Sequence, residues 1–267
     1  MAVIGIFIKC LSAQLKTESF YRVNFIIGLV SQVIFSLLSI AFVGAFMNGG
    51  LVLAGWHFAD VLFLLGFSDI TFGLSAILFF RAFLIFDPVY LLDGELDHLL
   101  LQPIHPLLNL ILRNASSTNL IIVLKGVVIT GIAARLNGFP FTAVNLALLA
   151  GAVLIGTTAY AGIFLLFMAI GFWFPRRSSI SAPLLSLNML AQFPLTVYPE
   201  WLQVFLTFLL PLGFVSFYPV QAALGFAALV PAAGLSWLLL IAVPLLSLAL
   251  GISAFSIGLR KYESVGN

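Results

Sequence analysis

Long apolar stretches separated by short polar breaks set the rhythm of this chain. Each stretch approaches the roughly 20 residues that a helix needs to cross a bilayer core about 30 Å thick. Residues 23–47 carry no charge and predict a first span. Asn48, Gly49 and Gly50 predict a turn, and Trp56, His57 and Asp60 suit the interface beyond it. Further spans are expected over about 61–80, 114–134, 144–174, a shorter 180–198, and 235–259. Ahead of them, Ile4, Phe7, Ile8, Leu11 and Leu15 recur at helical spacing with Lys9, Ser12 and Lys16 opposite. That pattern predicts an amphipathic interfacial helix over residues 1–22, and the two lysines break the apolar run that a signal peptide would need.

Two regions depart from the rhythm. Residues 199–234 are apolar yet cut by Pro211, Pro219 and Pro231 into pieces at 201–210 and 220–230, each too short to cross alone. They predict a re-entrant helical hairpin on the outer side, with its backbone buried against protein. Residues 81–113 form the one long polar interruption. They hold four of the nine acidic residues (Asp87, Asp93, Glu95, Asp97), two of the three histidines (His98, His105) and Pro88, Pro103 and Pro106. Asp87-Pro88 is expected to end or kink the second helix, 89–93 to allow a short helical turn, and Gly94 to permit a reversal. So much folded polarity between two spans predicts a loop that receives mechanical work from a partner protein.

Composition and charge agree with this reading. With 63% hydrophobic and 7% charged residues and a mean hydropathy of +1.22, the chain has too little polar surface for a soluble particle. It reads as one all-α transmembrane domain, residues 1–267, with six transmembrane helices. Placing the N-terminus inside puts Lys9, Lys16, Arg22, Arg81, Arg113, Arg176, Arg177, Arg260 and Lys261, nine of the eleven basic residues, on the cytoplasmic side of the cell's inner (plasma) membrane. Both termini and the 81–113 loop are then cytoplasmic. A net charge of +2 gives a nucleic-acid partner no support, and the lone Cys10 excludes an internal disulfide framework.

Few residues carry candidate chemistry. No G-x-x-x-x-G-K-[ST] phosphate loop occurs, so the chain has no recognisable cradle for ATP and is not expected to be an enzyme. His98 and His105 lie near carboxylates, but Pro103 separates them from a common helical face and no further ligand is close. Glu95 and Asp97 lack a nucleophile with a positioned base. Asp69 and Lys125 stand inside the second and third spans, where a charge costs about 3 kcal/mol even on lenient insertion scales. Those spans run in opposite directions and put both groups at similar depth. A buried pair is expected, contact with a polar substrate being the alternative. Gly151, Gly156, Ala159, Gly162 and Gly171 in the fourth span, and Pro244 and Gly251 in the sixth, fit close helix packing. The 27 phenylalanines fit core packing as well as they fit apolar substrates.

Three segments, LLDGELDHLLLQPIHPLLNLI, YPEWLQVFLTFLLPLGFVSFYPVQAALG and GLRKYESVG, together resemble a subfamily of the type-2 ATP-binding-cassette exporter permeases, the ABC-2 family. The resemblance covers essentially the whole chain in order, and the loop and the pairs Tyr198-Pro199 and Tyr218-Pro219 are its more specific parts. It implies six transmembrane helices, a connecting helix before the first, a coupling helix between the second and third, and re-entrant helices between the fifth and sixth. It also implies a homodimer, or a pair with a related permease, and separate ATPase subunits that hold ATP and Mg. Pro88, Tyr90, Leu91, Asp93, Gly94, Glu95 and Asp97 are then the expected ATPase-coupling residues. The rivals are a secondary transporter using Asp69 and Lys125 as a relay, which expects an internal repeat that is not seen, and an intramembrane enzyme or scaffold.

Overall fold

Helices account for nearly all regular structure in the computed structural model, which describes residues 22–48, 55–174, 181–224 and 233–264. The expected interfacial helix (up to residue 21), the turn at Gly49 and Gly50, the Pro175-Arg176-Arg177 cluster and the end of the 199–234 segment lie outside the described residues. The long helices are α1 (Arg22–Asn48), α2 (Phe58–Ile85), α5 (Leu120–Leu136), α6 (Ala143–Gly171) and α10 (Ala233–Lys261). Between α2 and α5 lie α3 (Glu95–Leu100) and α4 (Pro106–Asn114). Between α6 and α10 lie α7 (Ser181–Leu190), α8 (Glu200–Val204) and α9 (Phe217–Leu224). Among the described residues five helical segments are long and apolar enough to cross a membrane, or six if the bent pair Glu200–Leu209 and Leu212–Leu224 counts as one.

Helix α2 is the centre of the bundle: the span it belongs to is 78% buried, against 12% for α1. One face meets α5 with almost no space between backbones. A Cβ on Gly66 would come within 2.6 Å of Thr130 N, and one on Gly126 within 2.8 Å of Ile70 N. Gly73 faces Val123 in the same way, so the two helices are antiparallel. Another face of α2 meets α6 through aromatic rings. Phe79 stacks on Phe164 at 6.3 Å, and Phe72 and Phe83 approach the same ring. Ser75 Oγ lies 2.9 Å from Thr157 O of α6. Much of the phenylalanine content thus serves helix packing.

Helix α6 in turn packs on α10, with Gly162 against Ser247 and Leu248, Gly251 against Leu165, and Gly258 against Phe172. Ala159 is fully buried, and Gly156 receives Val215 and Thr71. Gly151 departs from this pattern: it has open space where a side chain would stand. Contacts in register show α2, α6 and α10 running one way and α5 the other. The chain between Gly171 and Ala233 must therefore return across the bilayer.

Three boundaries differ from the sequence pattern. Pro88 does not end the second helix; α2 continues as a π-turn, Phe86–Leu92, closed by Asp93 N bonding Pro88 O at 3.2 Å. A wider turn tolerates the missing proline N–H, and the reversal falls at Gly94, whose φ of +79° is left-handed. The third span is Ser117–Leu136, because residues up to Asn114 belong to the amphipathic α4. The fifth stretch, expected as one span over 180–198, is helical over Ser181–Leu190 and breaks before Pro194. Ten residues cover only about 15 Å. The 200–224 segment then bends by 77° between its two helical arms, and Val215 of the second arm reaches Gly156 inside α6.

If backbone contact between α2 and α5 organises the bundle, Gly126→Leu should cost about 1–3 kcal/mol through overpacking. Gly151→Leu should stay within about 0.5 kcal/mol of the parent. Thermal unfolding in detergent reads both, and equal loss in the two variants would refute the seam's importance.

Candidate functional site

Asp69 and Lys125 meet where α2 crosses α5. Gly66 and Gly126 bring the backbones into contact, and Lys125 Nζ lies 3.0 Å from Asp69 Oδ2. The carboxylate is almost wholly enclosed, whereas the ammonium keeps 15% of its side-chain surface open. A single charge at this depth has no solvent to stabilise it, so each group supplies the counter-charge that the other needs.

The open side of the pair faces a cavity of about 410 Å³ bounded by α1, α2, α5 and α7. Its polar lining comes from Gln32, Asp69, Asn119, Lys125, Asn188 and Gln192. Asn119 Nδ2 donates to Ala76 O at 2.9 Å, and Tyr160 of α6 donates its hydroxyl to Asn188 Oδ1. Phe35, Phe72, Phe80, Ile122 and Met189 complete the wall. The four amides did not enter the sequence-based candidate set. Their signal was visible as amide residues within apolar stretches, but nothing local said that they share one cavity.

A second polar feature is the 81–113 loop, which is folded and tied down. Tyr90 accepts a hydrogen bond from Asn114 Nδ2 at 2.8 Å. Gln102 Oε1 accepts from Asn109 Nδ2 at 2.7 Å and from Arg113 Nη2 at 2.9 Å. Where the chain returns, Ser116 N bonds Ile77 O of α2 at 2.7 Å. Asp87 is buried against Gly171 of α6, where any Cβ would collide with its carboxylate.

Of the seven expected coupling residues, Asp93 and Glu95 are exposed, and Pro88, Gly94 and Asp97 are half-buried. Tyr90 and Leu91 are buried in the bundle and anchor the loop instead of presenting a surface. Leu100 and Leu101, absent from the expected set, are exposed at the loop's tip, Leu101 at 84%. Asp97 also accepts a hydrogen bond from Ser264 Oγ at 2.6 Å, linking α3 to the segment that follows α10. Burial and the neighbouring Asp97 carboxylate raise the Tyr262 phenol above its ordinary range. His98 and His105 are exposed, and among the described residues no three His, Cys, Asp or Glu side chains converge as metal ligands would.

A family model described as ABC-2 family transporter protein matches residues 30–266 of the chain. No curated protein and no solved structure matches it.

Removing one member of the ion pair should leave an uncompensated buried charge. Lys125→Met is expected to destabilise the protein by about 3–5 kcal/mol, and Asp69→Leu combined with Lys125→Met to recover most of that loss. Unfolding midpoints in detergent for Lys125→Met alone, Asp69→Leu alone and the double variant check this. Simple addition of the two single losses would show that the groups do not act as a pair.

Proposed function

The chain belongs to the ABC-2 family of transporter proteins, and from that premise we propose that it is the membrane-spanning permease of an exporter driven by ATP hydrolysis on a separate subunit. The family match supports a permease component of an ABC transporter, and the several apolar helices support multi-pass membrane placement. In our reading two permeases, identical or related, enclose the pathway. The ATPase subunits carry ATP and Mg, both termini and the 81–113 loop face the cytoplasm, and the bent outer segment closes the far end.

The observation that carries this reading is the fixed attachment of the loop. Its first half continues α2 as a π-turn, Tyr90 in that half is bonded to Asn114 where the loop ends, and the residues just beyond, Ser116 and Asn119, are bonded back to α2 at Ile77 and Ala76. A displacement imposed on α3 therefore passes to the central helix instead of being absorbed by a slack connection. Asp93 and Glu95 offer charge to basic partner groups, and Leu100 and Leu101 offer apolar area that a partner's cleft would cover.

A gradient-driven carrier is the competing reading, favoured by the ion pair of Asp69 and Lys125 inside the bundle. Purification of the chain with its associated proteins separates the two. A vanadate-sensitive ATPase should co-purify, and transport sustained by an ion gradient without an ATPase would overturn the proposal.

Two substitutions test the loop. Gly94→Pro forbids the positive φ, and Glu95→Lys reverses an exposed charge. Both variants should insert normally while transport falls by at least about tenfold, the equivalent of 1.4 kcal/mol of lost coupling. Undiminished transport in both would remove the loop from the mechanism.

A further inference from the structure

The cavity beside the ion pair has a lining whose chemistry defines what it can hold. Asp69 and Lys125 neutralise one another at 3.0 Å, so the wall carries no net charge. A ligand with net charge would find no counter-charge there, and an unmatched charge away from water is costly. Around the pair, hydrogen-bonding capacity is left over in both senses. Asn119 uses its Nδ2 on Ala76 and keeps Oδ1 as an acceptor. Asn188 uses Oδ1 on Tyr160 and keeps Nδ2 as a donor. Gln32 and Gln192 make no side-chain hydrogen bond among the described residues, and each amide supplies both functions. Donors and acceptors gathered in one half-open cavity favour a ligand whose groups both donate and accept, as hydroxyls do.

The rest of the wall is apolar. Phe35, Phe72, Phe80, Ile122 and Met189 line it, and its volume of about 410 Å³ lies within the range of small-ligand sites. Rings beside hydrogen-bonding groups suit a molecule with one polar end and one apolar body. We infer that this cavity binds an amphiphile with an uncharged, polyhydroxyl head, the head held by Gln32, Asn119, Asn188 and Gln192 and the body against the aromatic wall. The inference rests on the reading of the protein as a permease and names the substrate class for it.

Its test needs neither transport nor an ATPase. Full-length protein in lipid nanodiscs is titrated with radiolabelled octyl glucoside below its micellar concentration, with empty nanodiscs subtracted. Octyl sulfate, octyltrimethylammonium and free glucose serve as competitors. Octyl glucoside should bind saturably, and each of the three competitors should displace it at least about tenfold less well. Gln32→Leu and Gln192→Leu should each weaken binding by about threefold to tenfold, the loss of one neutral hydrogen bond. Gln192→Glu adds a carboxylate and should shift the preference toward octyltrimethylammonium, a gain that misfolding cannot imitate. Displacement by free glucose as effective as by octyl glucoside would make the ligand a simple sugar and overturn the amphiphile. Equal competition by the charged amphiphiles, the absence of saturable binding, or wild-type affinity in both leucine variants would also overturn it. Failure here with an ATPase still co-purifying would refute the substrate class and leave the permease reading standing.

Discussion

A charge inside a bilayer must bring its own counter-charge, and in this protein that requirement is met by two helices that touch. Lys125 reaches Asp69 because Gly66 and Gly126 let α2 and α5 approach backbone to backbone. Larger residues at either glycine would hold the helices apart and leave the side chains to bridge the difference. The rest of the bundle is arranged on the opposite side of α2. Rings from Phe72, Phe79 and Phe83 seat α6, and α6 seats α10 through its glycines. Helix α1 contributes little to this core, and the cavity opens where it meets the others.

That arrangement makes the polar loop mechanically different from an ordinary connection. It joins two helices that touch backbone to backbone, it continues α2 at its start, and the chain just after it is bonded back to α2 at Ile77. Loops are usually the places where motion is absorbed. Here Tyr90, Leu91 and Asn114 are packed into the bundle, so the loop is anchored to the core behind its exposed tip. Ser264 adds a further link, from Asp97 to the segment following the last long helix.

The spans were legible because apolar length is a direct physical requirement of crossing hydrocarbon. Asp69 and Lys125 were legible for the converse reason, as charges where charge is expensive. What a residue string does not show is which way a side chain points once a segment leaves regular periodicity. Tyr90 and Leu91 look like contact residues in a polar loop, yet the π-turn around Pro88 rotates them inward. Leu100 and Leu101 look like the interior of a short helix, yet they end up exposed. The break before Pro194 was underestimated because an apolar run continues through it. Gln32, Asn188 and Gln192 were visible as polar residues in apolar stretches, but their convergence depends on how α1 and the end of α7 are placed beside α2 and α5.

The pair also sets an order of events in biosynthesis. Asp69 emerges 56 residues before Lys125, since 125 − 69 = 56. At about 5–20 residues per second, α2 waits roughly 3–11 s for its counter-charge. During that interval the carboxyl must remain in aqueous surroundings, be sheltered by the insertion machinery, or take up a proton. The glycine seam then has a second consequence: where the late-arriving α5 meets α2, Gly66 and Gly126 put no side chain of their own between the two backbones, so nothing at those positions has to be moved aside before the pair can form.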